Sequence, residues 1–380
     1  MRFLLLVPLG LATGVAFYFA LTATLVAPKY KIYETSAGQV AVAQVAGPFS
    51  HPWAVAFLTD GEMLVTERAG RLWPVDKDGV RTEVAGAPEV EAEGQGGLLD
   101  VVAATDFAAT REVFLTFSEI AGNGSRTAVA AANLSDDAQS LENLRIIFRQ
   151  QPPVESSHHY GSRIVEAPDG TLWVTLGERG IATQAQNSLS HLGKVVRIAR
   201  DGTVPGDNPF VGGLGLKEIW SFGHRNPQGA ALDPATGKLW TVAHGAKGGD
   251  EVNHPEAGKN YGWPVISYGT TYAGTKIGDG TEKSGMEQPV YYWDPSIAPS
   301  GMMIYSGKLW PDWQGDIFVG ALKFKLISRL DRQGDEIVGE EQLFAEKYGR
   351  VRDIREAPDG AIWFLTDEGE GALYRVTPAN

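Results

Sequence analysis

One pattern recurs along the chain and constrains its fold more than any other feature. An apolar strand meets an Asp-Gly turn, and a second apolar strand follows. Ala54 to Glu67 has this form around Asp60-Gly61, Arg163 to Leu176 around Asp169-Gly170, and Arg352 to Leu365 around Asp359-Gly360. Gln228 to Val242 is a fourth copy with a longer turn, Asp233 to Gly237. Two looser copies lie between, Gly97 to Phe117 and Gly301 to Val319. Asp-Gly between alternating apolar residues marks a hairpin, because that turn needs positive φ. The turns recur at intervals of roughly 45 to 80 residues, the size of a propeller blade with insertions. Six units predict an all-β, six-bladed β-propeller. Two β-sandwiches are the alternative, but they leave the single repeating hairpin unexplained. A strand near Gln39 to Val45 is expected to close the ring against Ala372 to Val376.

Residues 31–380 read as one domain, since no linker or low-complexity stretch interrupts them. Residues 1–30 read as a separate N-terminal segment. Phe3 to Ala27 carries no charge and is long enough, as a hydrophobic helix, to cross a bilayer. Arg2 before it sends the rest of the chain outward. The expectation is a membrane anchor with the domain on the periplasmic or extracellular face, or a secreted protein if the segment is cleaved as a signal. With no cysteine in the chain, disulfides, thiolate metal sites and a lipidated N-terminal Cys are excluded. Residues 31–380 hold 31 basic and 46 acidic side chains. Such an acidic body argues against a nucleic-acid partner, which needs a cationic face.

In a propeller the loops of all blades converge at one end of the central channel. Function is therefore expected in polar residues flanking the innermost strands. His159 lies just before one such strand, and Glu178 just after the strand paired with it, so the two return to the same end. A carboxylate beside a histidine fixes its tautomer and raises its basicity; an ordinary surface ion pair is the plainer reading. Gln95, Arg225, Asn226, Lys323, Arg350 and Arg352 lie at corresponding blade mouths. Arg350 and Arg352, two apart in a strand, share a face. Gathered together, these side chains make a cationic pocket suited to a ligand with several carboxylates. Singly, each reads as a solvated charge. Gly245 to Glu251 is Gly-rich and acidic, a composition compatible with Ca²⁺ or with a plain loop.

Nine short stretches carry a family resemblance. They are Gln95 to Asp100, His159 to Arg163, Gly177 to Gly180, Leu192 to Val195, Gly223 to Gly229, His244 to Glu251, Asn260 to Pro264, Gly320 to Lys323 and Arg350 to Asp353. In this order the chain resembles the soluble quinoprotein aldose (glucose-type) sugar dehydrogenases over residues 45–378. The resemblance implies pyrroloquinoline quinone (PQQ) in the central pocket and oxidation of an aldose at C1 to a lactone. Electrons then pass to a quinone or cytochrome acceptor. It implies His159 as general base, oriented by Glu178, and Arg225 as stabiliser of the developing oxyanion. Gln95, His159, Arg225, Asn226, Lys323, Arg350 and Arg352 match cofactor-contacting positions. The carbonyls of Gly245 and Ala246 match those that hold the PQQ-bound Ca²⁺, and Asp250, Glu251 and Tyr261 lie where some members bind further Ca²⁺. Ala246 stands where the family usually has Pro, Ser162 where it usually has Gly, and His158 where one branch has Asp. Gln186 is a further potential cofactor contact. The long insertions of the glucose-specific branch are absent, which favours broad aldose specificity. A metal-dependent lactonase and a non-catalytic ligand-binding propeller are the alternative readings.

Overall fold

The computed structural model describes residues 30–379, and the N-terminal apolar run Phe3 to Ala27 lies outside the described residues. Six antiparallel sheets follow one another in chain order. Blade one is Pro52–Phe57, Met63–Glu67 and Arg71–Val75. Blade two is Leu98–Ala103, Glu112–Ala121, Gly124–Leu134 and Leu141–Arg149. Blade three is Ile164–Glu166, Thr171–Leu176, Lys194–Ala199 and Ile219–Phe222. Blade four is Pro227–Leu232, Leu239–Ala243, Asp250–Asn253 and Tyr291–Trp293. Blade five is Pro299–Ile304, Ile317–Ala321, Leu326–Gln333 and Glu336–Leu343. Blade six is Val351–Glu356, Ile362–Thr366 and Gly371–Pro378, completed by the early strands Gly38–Phe49 and Tyr30–Thr35. The first strand of each blade packs against the first strand of the next, and blade six returns to blade one. The six-bladed propeller expected from the repeat is the fold observed.

The ring closes where the sequence pattern placed it. Gly38–Phe49 pairs with Gly371–Pro378, with Val42 opposite Val376 and Ala43 opposite Arg375. Each repeated turn joins the first and second strands of a blade. In the Asp-Gly copies Gly61, Gly170 and Gly360 take φ of 81°, 78° and 88°. The preceding aspartate caps the turn: Asp169 accepts from the N–H of Thr171 at 2.9 Å, and Asp359 from that of Ala361 at 3.0 Å.

Apolar clusters fill each gap between blades. Phe114, Val129, Ile164 and Leu172 join blades two and three, while Trp240, Met302 and Val319 join four and five. Nearer the axis a series of hydroxyls stitches the inner strands. Thr66 donates to Leu99 O at 2.6 Å, Thr116 to Ser162 O at 2.7 Å and Thr175 to Pro227 O at 2.8 Å. Ser300 repeats the bond to Val351 O at 2.7 Å. Each hydroxyl satisfies a backbone carbonyl that packing removes from water. The threonines occupy equivalent positions of the second strand, so they belong to the repeat.

The first strands are irregular at one end. The ladder slips between Pro52 and Val55, Leu98 and Val101, Pro227 and Gly229, Pro299 and Met302, and Val351 and Asp353. Such bulges re-aim side chains and end regular pairing. All five lie at the start of the first strand, away from the Asp-Gly turns, at the end where the polar residues gather. Among the described residues no helix is long and apolar enough to cross a membrane.

Candidate active site

His159 enters the site from the loop before blade three, at φ 52°. Several contacts hold it in that left-handed conformation. Its N–H donates to Gln95 Oε1 at 2.8 Å. Its carbonyl lies so close to Gly177 that a Cβ there would stand 1.9 Å away, which excludes any side chain at that position. Next to it, the buried Arg179 donates to His158 O at 2.8 Å and Ser125 O at 3.1 Å, with its guanidinium 3.6 Å from the Tyr160 ring centroid. The loop that carries His159 is thus tied to blades two and three.

Glu178 Oε2 lies 2.9 Å from His159 Nδ1, and both side chains are largely buried. A carboxylate only accepts, so the proton sits on Nδ1 and Nε2 is left with a free lone pair. Burial pushes the His159 imidazole below its ordinary pKa; Glu178 opposes that shift and the positive charge of Arg225 adds to it. The ring is therefore neutral at pH 7, as a proton acceptor must be.

Arg225 and Asn226 lie just before the first strand of blade four. Arg225 Nη1 donates to the carbonyl of Gly245 and sits over Trp263, 5.3 Å from the ring centroid. Asn226 Oδ1 accepts the N–H of Gly161 at 3.1 Å, which leaves its amide nitrogen aimed elsewhere. His244, two strands away, feels several of these groups. Burial lowers its pKa to about 3, and the charges of Arg225 and Arg352, with His159, push the same way.

Beside them is a cavity of about 370 Å³ lined by Arg68, Arg350, Arg352, Gln95, His244 and Asp367, among others. Arg352 donates to Asp367 at 2.6 Å and to Gln228 Oε1 at 2.8 Å, and Arg350 reaches the same aspartate at 3.6 Å. The two arginines expected to share a face converge on one carboxylate. Burial alone would raise the pKa of Asp367, but Arg352, His51 and Arg68 outweigh it and hold the group well below the usual range. Arg68 pays for its own burial with a lowered pKa, which the neighbouring arginines depress further.

Five buried polar atoms here have no hydrogen-bond partner: Nε of Arg68, Arg225 and Arg352, Nδ2 of Asn226 and Nε2 of His244. Four are obligatory donors. Orphaned buried donors are rare and costly in a folded protein, so this cluster fits a ligand that offers several acceptors.

Other expected residues sit apart from this cluster. Lys323 is exposed at the rim and adjoins Leu322, whose carbonyl takes Arg350 Nη1 at 3.4 Å. Gln186 spends its amide on Asn260 Oδ1 at 3.0 Å and Trp263 O at 2.8 Å, so it braces a loop and has no free donor. Of the expected Ca²⁺ ligands, Gly245 O is engaged by Arg225, and Ala246 lies in the following turn, bridged to Gly248. Asp250 accepts from Gly245 N at 2.8 Å, Ala298 N at 2.9 Å and the Ser296 hydroxyl. Burial raises the pKa of Glu251 to about 7, and Asn253 donates to it at 2.9 Å. Tyr261 uses its hydroxyl between His254 O and Glu256 N. Among the described residues no three His, Asp or Glu side chains are placed to share a metal ion.

Sequence reasoning missed Asp367, Arg68, His51 and Trp53, which line the cavity, and gave no role to Arg163. The signal for Asp367 was available, since Thr366-Asp367 ends the paired strand of the last repeat as Leu176-Gly-Glu178 ends that of the third. Arg163 is fully buried on the axis. It pairs with Asp100 and Asp353 at 3.0 Å each, and Arg355 pairs with the same two aspartates at 2.9 and 3.1 Å.

Comparison with known proteins places this site in a family. The Glucose / Sorbosone dehydrogenase profile matches residues 49–375. The chain belongs to the glucose/sorbosone dehydrogenase family. Within it, aldose sugar dehydrogenase YliI of Escherichia coli (strain K12) is 44% identical over 337 residues, covering 87% of this chain and 91% of that protein. The crystal structure of the soluble aldose sugar dehydrogenase from Escherichia coli in the apo-form superposes with a TM-score of 0.87 at 42% identity, covering 90% of this chain and all of the other. The PQQ-bound form of aldose sugar dehydrogenase from Streptomyces coelicolor superposes with a TM-score of 0.75 at 26% identity, covering 91% and 99%.

Proposed function

We propose that this family member is a PQQ-dependent aldose dehydrogenase that oxidises the sugar at C1 to a lactone and passes the electrons to an external quinone or cytochrome. The observation that carries the reading is the cluster of orphaned donors around the three-arginine cavity, set beside a neutral, carboxylate-oriented histidine. An arginine cluster with unspent N–H groups fits the carboxylates of PQQ. Arg350, Arg352, Arg225, Asn226, Gln95 and Lys323 are the residues proposed to hold it. The carbonyls of Gly245 and Ala246 are hard oxygen donors that would suit Ca²⁺. When bound, PQQ supplies a quinone that accepts a hydride, and Ca²⁺ supplies Lewis acidity beside it.

The chain's own residues then have defined tasks. Nε2 of His159 takes the proton of the C1 hydroxyl. Glu178 keeps Nδ1 protonated and stabilises the imidazolium that results. Arg225 places positive charge where negative charge develops. The N-terminal run Phe3 to Ala27 is proposed to export the domain or anchor it on the outer face of a membrane, where an acceptor can reach it.

The test is reconstitution of the purified protein. Apoprotein should be inactive with an aldose and an artificial electron acceptor, and should turn over only when PQQ and Ca²⁺ are both added. Aldose oxidation that runs on NAD without PQQ would overturn the reading.

A further inference from the structure

We propose that Lys194 is a positioning residue for Arg225, acting through the turn Ala182–Gln186 and through Trp263. The inference rests on the placement of Arg225 in the reacting site.

Lys194 opens the third strand of blade three and is completely buried. A buried ammonium is tolerated only where its N–H groups all find acceptors. Lys194 finds them without a carboxylate. Its Nζ donates to Leu192 O at 2.7 Å, Ala185 O at 2.9 Å and Gln184 O at 3.0 Å. Three donors meet three carbonyls. Two of those carbonyls belong to the short 3₁₀ turn Ala182–Gln186, which has no side-chain cap of its own. One 3₁₀ turn has little intrinsic stability, and two bonds from Lys194 brace it. Burial draws the Lys194 pKa down to about 7, so the side chain carries all three donors below that pH and two above it.

Two routes lead from this turn to Arg225. In the first, Ala185 O also accepts the N–H of Gly223 at 3.0 Å, two residues before Arg225. In the second, Gln186 Nε2 donates to Trp263 O at 2.8 Å, and Gln186 Oε1 accepts from Asn260 at 2.8 Å. The N–H of Trp263 returns to Gly223 O at 2.9 Å, which closes the loop. The guanidinium of Arg225 rests on the Trp263 ring. The segment that carries Arg225 and the ring beneath it therefore both hang from the turn that Lys194 holds.

The experiment compares Lys194→Met and Gln186→Ala with the native protein. Lys194→Met removes the ammonium but keeps a side chain of similar length. Gln184 O and Ala185 O retain the N–H groups of Asn187 and Gly223, so the turn still has partners. Hydrogen exchange on the apoprotein is the first readout. Lys194→Met should speed exchange about tenfold or more in residues 181–187 and in 260–264, and leave blades one, two, five and six unchanged. Turnover of the protein loaded with PQQ and Ca²⁺ is the second. Each variant should lower kcat by about 10- to 100-fold, the usual result of misplacing a reacting group. The double variant should be no worse than the worse single, because both act on one relay. Faster exchange confined to 181–187, or losses in kcat that multiply, would overturn the proposal. Should Lys194→Met fail to fold, an unchanged kcat in Gln186→Ala would overturn the relay by itself. If the native protein fails to oxidise aldoses with PQQ and Ca²⁺, the functional reading falls, while the exchange pattern still decides whether Lys194 governs the Arg225 segment.

Discussion

Replacing Glu178 by glutamine tests the pairing on which the proposed chemistry depends, and the structure fixes both the size and the direction of the effect. The carboxylate sits 2.9 Å from His159 Nδ1 and is almost fully buried. A glutamine oxygen can still accept the Nδ1 proton, so the tautomer survives but the charge is lost. A hydrogen bond to a charged group is worth about 1.5–3 kcal/mol and a neutral one about 0.5–1.5. Because the imidazolium exists only after proton transfer, the difference of about 1–1.5 kcal/mol falls on the transition state. That lowers kcat/KM by roughly tenfold. The pH dependence moves separately. Burial and Arg225 lower the His159 pKa while Glu178 raises it. Removing the Glu178 charge lets the pKa fall further. The base works when neutral, so activity rises with pH through that pKa, and the acid limb of the profile should shift to lower pH. The assay is kcat/KM against pH with saturating PQQ and Ca²⁺. A plateau unchanged from the native protein, or an acid limb displaced upward, would refute the assignment of Glu178.

The same site separates chemistry from binding. His159→Ala should retain PQQ affinity in a titration of the apoprotein yet lose on the order of 10²–10⁴ in kcat, while Arg350→Ala should weaken PQQ binding by roughly 10- to 100-fold through loss of a charge-assisted partner. Normal turnover in the His159 variant would move the base assignment to His158. Lys194 has a folded-state pKa of about 7 against an ordinary value of 10.5. The unfolded chain therefore binds the extra proton between those values, and stability should climb with pH there by about 1.4 kcal/mol per unit from this group. Urea unfolding of Lys194→Met from pH 7 to 10 should show a flatter profile, and a slope equal to that of the native protein would argue against a depressed Lys194 pKa. The full-length protein should fractionate with membranes and resist high-salt washing, since an acidic body does not adhere to anionic lipid by charge; recovery in the soluble fraction with an N-terminus between residues 20 and 35 would show a cleaved signal instead.

The fold was legible because the repeat is written in residues whose conformational demands are local. Asp169-Gly170 and Asp359-Gly360 need positive φ, and the alternation on either side sets the face. The closure of the ring was readable for the same reason, as Val40 and Val42 alternate inward, opposite Pro378 and Val376. The pairing of His159 with Glu178 followed from hairpin geometry, since residues flanking two paired strands must meet. Asp367 was passed over although its place after the paired strand of the last repeat matches that of Glu178, because an acidic residue in an acidic chain does not stand out until three arginines surround it. The commitment of Gln186 to Trp263 was hidden too, because it joins residues 77 apart through two irregular loops. Lys194 could be seen as part of a motif, but its burial could not. In an exposed strand edge the same residue would be a solvated charge.

The axis of the propeller explains why the site is a pocket at one end. Arg163, Asp100, Asp353 and Arg355 meet there with almost no exposure of the first three, and their two positive and two negative charges cancel. Arg163 lies 4.1 Å from the Trp53 ring centroid and donates to Gln228 O at 2.8 Å. Gln228 in turn accepts from Arg352. The plug thus supports two residues of the cavity wall, Trp53 and Gln228. Removing one member of a buried pair leaves an uncompensated charge and costs about 3–5 kcal/mol, so the network is one in which every member depends on the others. The cavity itself is different in kind. Arg68, Arg350 and Arg352 outnumber Asp367 and Glu368 in its lining, and several of the N–H groups around it are unspent. A charge-balanced plug resists rearrangement, whereas a cationic, under-satisfied cavity is stabilised by an anion. The same propeller axis therefore supplies a rigid support and, next to it, a site whose electrostatics are completed only by a ligand.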